Sequence, residues 1–303
     1  MHEPICRYMQ TGLVHFMAYP EIMKGDGPIL ETVRKIALDD FFNAIEITWI
    51  NDASVRAAVR EMLETAHMTV AFGGQPMLLQ SGLNINDLDE RKRMQAVDLL
   101  KKGIDQAVEM NAVAFAFLSG PYDEATKDAS LDALIRSTCT LCDYAAAQCD
   151  LSIVHEIFDY DIDKKSLIGP ADLARQYAEA VYRSHDRFGL MADLSHLPLL
   201  RETAEQALEP IKDYLVHAHM GNCVVRDPTC PAYGDLHPRF GFPNSENDVA
   251  ELTAYLRVLF DIGFLNTANP PIISFEVKPY GSEDPDLVIA NAKRVLAKSW
   301  AAL

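Results

Sequence analysis

Four apolar runs in the later half of this chain each carry, at or near their ends, a side chain able to hold a divalent cation or exchange a proton. Residues 151–156 end on Glu156, 189–193 on Asp193, and 272–277 carry Glu276 next to last. Residues 214–222 hold His217 and His219 before breaking at Met220-Gly221-Asn222. Taken singly, a strand-end carboxylate can as well cap a helix or pair with a lysine. Together, Glu156, Asp193, His219 and Glu276 form a donor set that leaves positions open for water or substrate oxygens. Such a set suits one divalent ion, Mn²⁺ ahead of Mg²⁺ or Co²⁺, better than a closed zinc site.

The elements that must position these groups follow from a repeating rhythm of short apolar runs and amphipathic stretches. The pattern predicts strands over 12–18, 44–48, 68–72, 112–118, 151–156, 189–193, 214–222 and 272–277. Between and after them it predicts helices over 28–39, 54–66, 89–110, 130–148, 170–184, 203–211, 247–260 and 284–300. Such an alternation, with no Gly-x-Gly-x-x-Gly turn, predicts an α/β fold: a single (β/α)8 TIM barrel over residues 1–303, with its chemistry at the strand exits. One connection is long, residues 222–246 after the seventh strand, and a loop of that kind forms a lid or a binding wall.

Further candidates take their places on this frame. Alternate strand residues share a face, so His217 lies on the side of His219 but deeper, as a structural imidazole oriented by a carboxylate. His196, three residues after Asp193, either touches a substrate hydroxyl or caps the next segment. His155 points away from Glu156 in an extended strand and reads as a core histidine, although a bulge there would turn it inward as a catalytic base. The stretch Tyr233-Gly234-Asp235-Leu236-His237-Pro238-Arg239-Phe240-Gly241 offers His237 and Arg239 as substrate contacts. Glu46 and Trp49 after strand two, and Gln75 after strand three, are candidates for the far wall. Cys139 and Cys142 have a redox-motif spacing, yet within a helical pattern and without a second pair they read as buried thiols. Cys223 and Cys230, in the long loop, receive no role.

Composition narrows the classes. The 303 residues are 49% hydrophobic, ample for a large core, and the formal net charge is -17 at pH 7. A nucleic-acid site needs a basic footprint, and no Lys/Arg cluster supplies one. There is no apolar run long enough to span a bilayer, and the N-terminus, with His2, Glu3 and Arg7, lacks a signal-peptide core. The expectation is a soluble cytoplasmic enzyme with no nucleic-acid or membrane partner.

Glu156, Asp193-Leu194-Ser195-His196, His217-Ala218-His219-Met220-Gly221-Asn222 and Ser274-Phe275-Glu276-Val277-Lys278-Pro279 resemble the xylose-isomerase-like barrel superfamily, which includes sugar epimerases, sugar isomerases and endonuclease IV. The resemblance spans nearly the whole chain. In the ketose 3-epimerase branch it implies that Glu156 and Glu276 bind the metal and exchange the substrate proton. Asp193 and His219 then complete the sphere, and His196 touches the sugar. The Gly-Asn-Cys to His-Pro-Arg-Phe-Gly segment departs from those epimerases and is similar to a branch of sugar isomerases that includes the catalytic subunits of bacterial C-glycoside deglycosidases.

What the resemblance implies is proton abstraction next to the carbonyl of a keto-sugar, through an enediolate that a divalent cation stabilises. Return of the proton to the other face gives epimerisation, and transfer to the neighbouring carbon gives isomerisation. Loss of a β-substituent cleaves a 3-keto glycoside, a reaction for which His155 is an attractive base. C-glycoside cleavage is the specific expectation, with ketose epimerisation or isomerisation as the alternative. The deglycosidase likeness implies a small second subunit and the epimerase likeness a homo-oligomer. Two other classes compete: an endonuclease-like phosphodiesterase, opposed by the charge, and a non-catalytic sugar-binding or assembly subunit, which would lack the metal.

Overall fold

Among the described residues the apolar runs form eight parallel strands: β1 Gln10–Leu13, β2 Ala44–Ile47, β3 Thr69–Gly73, β4 Ala114–Leu118, β5 Ser152–Glu156, β6 Phe188–Asp193, β7 Leu215–Gly221 and β8 Ile272–Glu276. The computed structural model describes Met1 and residues 3–303, and His2 lies outside the described residues. Hydrogen bonding runs β1-β8-β7-β6-β5-β4-β3-β2. A parallel bridge from Val14 to Glu46 links the β1 and β2 ends, so the sheet wraps into the expected (β/α)8 barrel.

The helices are α1 His15–Ala18, α2 Ile29–Ala37, α3 Ala53–Thr65, α4 Gln75–Ser81, α5 Glu90–Glu109, α6 Lys127–Ala146, α7 Ala171–Tyr182, α8 His196–Leu200, α9 Ala204–Leu208, α10 Val249–Asp261 and α11 Pro285–Ala301. Asp52, Asp89 and Asp284 begin α3, α5 and α11, and each carboxylate accepts two backbone N–H bonds of the first turn. Each such cap stabilises its helix by about 1 kcal/mol.

Strand residues alternate between barrel interior and helix layer. Ala44, Ala71, Ala114, Ala116, Val154, Met191 and Ile272 form a small apolar cluster of their own, while Phe72, Phe115, Phe117 and Phe188 join the larger core. Ala44 shares its strand face with Glu46, Val154 with Glu156, Met191 with Asp193 and Ile272 with Glu276. The polar groups therefore stand as one layer on an apolar floor.

The first strand differs from expectation. It stops at Leu13, and His15–Ala18 turns into helix α1. The run Gly12 to Ala18 is apolar but for His15 and almost wholly buried, so periodicity cannot separate strand from helix there. Helix α4 follows β3 directly where a turn was expected; Pro76 in its first turn is a helix-start signal that the preceding Gly-Gly pair obscured. No described helix is long and apolar enough to cross a membrane.

Candidate metal centre and substrate cavity

Register brings the four expected ligands together. Asp193 pairs with His219 across β6 and β7, and Glu276 lies opposite Gly221 across β7 and β8. One donor atom from each of Glu156, Asp193, His219 and Glu276 falls in a group with all members within 4.8 Å of one another, and all four residues are buried. His219 Nδ1 lies 2.7 Å from Glu276 Oε2, 3.5 Å from Glu156 Oε1 and 3.8 Å from Asp193 Oδ2. Gly221 makes the close approach possible: a Cβ there would stand 2.9 Å from Asp193 Oδ1.

The quartet fits a divalent cation on its own chemistry. Three buried carboxylates around one imidazole repel one another unless a positive charge joins them. Glu156 Oε1 and Asp193 Oδ2 are buried without a hydrogen-bond partner. Burial foremost pushes the Asp193 carboxyl above its ordinary range, and the nearby Glu276 charge adds to the rise.

Glu46 stands beside the quartet as an orienting group. Its Oε1 lies 3.0 Å from His219 Nε2 and 2.7 Å from His217 Nε2. With Nε2–H donating to Glu46, His219 presents the Nδ1 lone pair to the cluster, the arrangement by which a carboxylate fixes a ligating histidine. His217 is the deeper imidazole and Glu46 its carboxylate. Burial would raise the Glu46 carboxyl, yet His217 and His219 against it hold it well below the usual range.

Above the layer opens a cavity of about 210 Å³. Its floor carries Glu46, Glu156, His219 and Glu276, and its polar wall Gln75, Lys164, Asp235, His237 and Lys278. Apart from Gln80, the rest is apolar: Phe16, Met17, Met23, Pro76, Leu79, Phe158 and Leu236. Gln75 donates to Glu156 Oε2 at 2.7 Å, leaving Oε1 for the cluster. His237 Nε2 lies 2.9 Å from Asp235 Oδ1, and Nδ1 faces Asp193 Oδ2 at 3.8 Å. Burial lowers the His237 pKa, but Asp235 first and Glu276 next outweigh it and lift the value to about 9.

Other expected site residues lie elsewhere. His155 is corrected from a candidate base to a core side chain: β5 stays extended, so the ring faces the helices, 4.8 Å from both Phe117 and Tyr177. Burial drives its pKa down to about 3. Arg239 is also corrected: its Nε donates to Glu283 at 2.8 Å and its guanidinium covers the Phe242 ring, away from the cavity. Trp49 bonds Asn51 and lines a separate groove with Met23 and Gln80. His196 stands behind the wall, with Nδ1 2.7 Å from the Ile157 carbonyl and Nε2 3.1 Å from Asp235. Cys142 is buried, and burial raises its thiol.

The long loop is pinned at its root. Asn222 Oδ1 accepts from the backbone N–H groups of Cys223 and Asn247, and its amide donates to the Arg239 carbonyl. Asp235 and Lys164, which the sequence reading passed over, meet across the two loops above the site. The only cue for Asp235 is its place two residues before His237.

Comparison with known proteins agrees with this architecture. No curated protein sequence matches the chain. Among solved structures, a D-psicose 3-epimerase from Clostridium cellulolyticum H10 with D-tagatose shares 16% identity over 97% of this chain and 99% of its own, with a TM-score of 0.69. A 3-keto-D-glucoside 4-epimerase from E. coli shares 15% identity over 95% of this chain and 99% of its own, at a TM-score of 0.66. An AP endonuclease of family 2 from Brucella melitensis shares 15% identity over 90% and 94%, at 0.63. At these identities the likeness is one of fold. The family model for the xylose isomerase-like TIM barrel matches residues 37–298, and the chain belongs to that family.

Proposed function

We propose that the chain is a divalent-metal-dependent carbohydrate epimerase or isomerase that moves the proton next to the carbonyl of a keto-sugar. The observation that carries this reading is the buried quartet Glu156, Asp193, His219 and Glu276, with donor atoms within 4.8 Å of one another, three of whose members line a cavity. Two of the similar structures bear the names of a ketose 3-epimerase and a 3-keto-glucoside 4-epimerase, which supports the substrate class. These four residues would hold one ion, Mn²⁺ in first place and Mg²⁺ or Co²⁺ next. Such an ion supplies positive charge where an oxyanion develops as the C–H bond breaks.

The chain's own groups do the rest. Glu156 and Glu276 come from strands separated by two others and present carboxylates to the cavity from different sides of the cluster. One takes the α-proton and the other returns it, which inverts the carbon; return to the adjacent carbon isomerises the sugar. Gln75 holds the Glu156 carboxylate in place by donating to Oε2. His237 Nδ1 is buried without a partner and is available to a substrate hydroxyl. Lys278 and the apolar wall exclude water and seat the substrate.

The apolar wall favours a second reading. Phe16, Met17, Met23, Leu79 and Leu236 suit a keto-glycoside with an apolar substituent, from which the same carbanion would expel the substituent by elimination. With His155 outside the cavity, the base for that reaction is Glu156, Glu276 or His237.

Replacement of Glu276 by Gln tests the site. The expected result is at least tenfold weaker Mn²⁺ binding by titration calorimetry, together with loss of proton exchange on keto-sugars. Wild-type binding and exchange in the variant would move the centre elsewhere.

A further inference from the structure

Beside the cavity, at the strand exits, a groove of about 470 Å³ runs between the loop after α1, the segment leaving β2 and helix α4. Met23, Pro76 and Gln80 line both, so cavity and groove share one lip. Gln80 Nε2 donates to the Met23 carbonyl at 3.0 Å across that lip. The cavity alone, at about 210 Å³, is smaller than the roughly 300–1,000 Å³ of sites that enclose a drug-sized ligand. A substrate of that size must therefore extend beyond it.

The fold holds Trp49 in the groove. Its neighbours are buried and tied to the scaffold: Thr48 Oγ1 donates to the Gly73 carbonyl at 2.7 Å, and the Ile50 N–H to Gln106 Oε1 at 3.1 Å. The indole between them is only partly covered. Its Nε1 donates to Asn51 Oδ1 at 2.7 Å, and the Asn51 amide donates in turn to Asp26 at 2.7 Å and to the Lys24 carbonyl at 3.1 Å. Gly25, at φ +83, lets the backbone pass close to the ring, since a Cβ there would stand 2.9 Å from Trp49 Cδ1. With its polar edge satisfied, the indole has apolar surface left to offer. Gln80, Lys24 and Lys102 bring hydrogen-bonding groups to the same groove, and neither lysine forms an ion pair among the described residues.

An aromatic surface flanked by amide and ammonium groups complements a pyranose ring, apolar on its C–H face and ringed by hydroxyls. We propose that the groove is a second carbohydrate subsite. With the reacting ring in the cavity, a glycosidically linked second ring passes Met23 and Gln80 and lies against Trp49. The substrate is then the keto form of a disaccharide or longer glycoside, not a free ketose. An aryl substituent is the opposing occupant, but it would use the indole and leave Gln80, Lys24 and Lys102 idle.

The inference rests on the proposed function for placing the reacting ring, so its test reads binding apart from reaction. The probes are methyl β-D-glucopyranoside, phenyl β-D-glucopyranoside, cellobiose and maltose, none with a keto group in its closed rings. In ligand-detected NMR titrations of the Mg²⁺-loaded full chain, at least one disaccharide should bind about tenfold tighter than the methyl glucoside. It should also change the tryptophan fluorescence, to which Trp49 is the accessible contributor because Trp300, the other of the two tryptophans, is buried. Trp49→Ala, with its fold checked by circular dichroism, should bring the affinity ratio to about one and abolish the fluorescence response, and Gln80→Ala should lower the ratio. Equal affinities in wild type, which need no variant to measure, would overturn the proposal, as would a ratio that Trp49→Ala leaves intact. A phenyl glucoside that binds tighter than both disaccharides and depends on Trp49 would overturn it too, by giving the groove to an aryl group. Absence of proton exchange on keto-sugars would instead count against the proposed function and leave the affinity ratio standing.

Discussion

Glu46 illustrates how a single carboxylate governs a metal ligand it does not replace. By accepting from His219 Nε2 it fixes which nitrogen faces Glu276, Glu156 and Asp193. Glu46→Gln should weaken metal binding by about 10- to 100-fold, the usual loss when such an outer partner is removed, with the fold intact. Unaltered affinity by calorimetry would show that His219 needs no orientation. His155 makes the opposite case. A base lost from the reaction costs about 10²- to 10⁴-fold in rate, whereas a core histidine packed on Phe117 and Tyr177 costs only stability. His155→Leu should leave the rate per folded molecule within about threefold, and a hundredfold fall would restore His155 to the mechanism.

At the scale of elements, the positions of the site groups follow from where strands stop and which way their last residues face. Glu156, Asp193 and Glu276 were legible because each ends or nearly ends an apolar run, and His219 because the run around it breaks at Gly221-Asn222. Strand parity, legible too, put Glu156 inside and so His155 outside. Register between distant strands was not legible, which is why the contact of Glu46 with His217 and His219 was not foreseen, although Glu46 does line the cavity. Asp235 and Lys164 lie on loops, where no periodicity marks a partner seventy residues away. The first helical turn carries its own prediction. His15 in α1 is buried with Nε2 2.7 Å from Thr32 on α2, and burial lowers its pKa from 6.5 to about 3. The unfolded chain takes the proton near 6.5 and the folded chain only near 3. Its share of stability is therefore whole above pH 6.5 and falls as the pH drops, by about 2 kcal/mol at pH 5. Urea melts at pH 7 and pH 5 should show a smaller loss in His15→Gln by about that amount, and an equal loss in both proteins would refute it.

For the whole molecule, fold and charge point the same way. The barrel family includes structures with unrelated names, an endonuclease among the similar ones, so the fold alone selects no reaction. A net charge of -17 opposes a phosphodiester backbone and favours a neutral substrate. The cavity of about 210 Å³ combines a floor of carboxylates and an imidazole with a largely apolar wall. The central claim is proton transfer next to a carbonyl, and its signature does not depend on which product leaves. Incubation of the Mn²⁺-loaded protein in D₂O with keto-hexoses and aryl 3-keto-glucosides, followed by mass spectrometry, measures it. The account predicts one deuterium at a carbon next to the carbonyl of at least one substrate, abolished by chelator. No incorporation into any of them by metal-loaded, folded protein would contradict it.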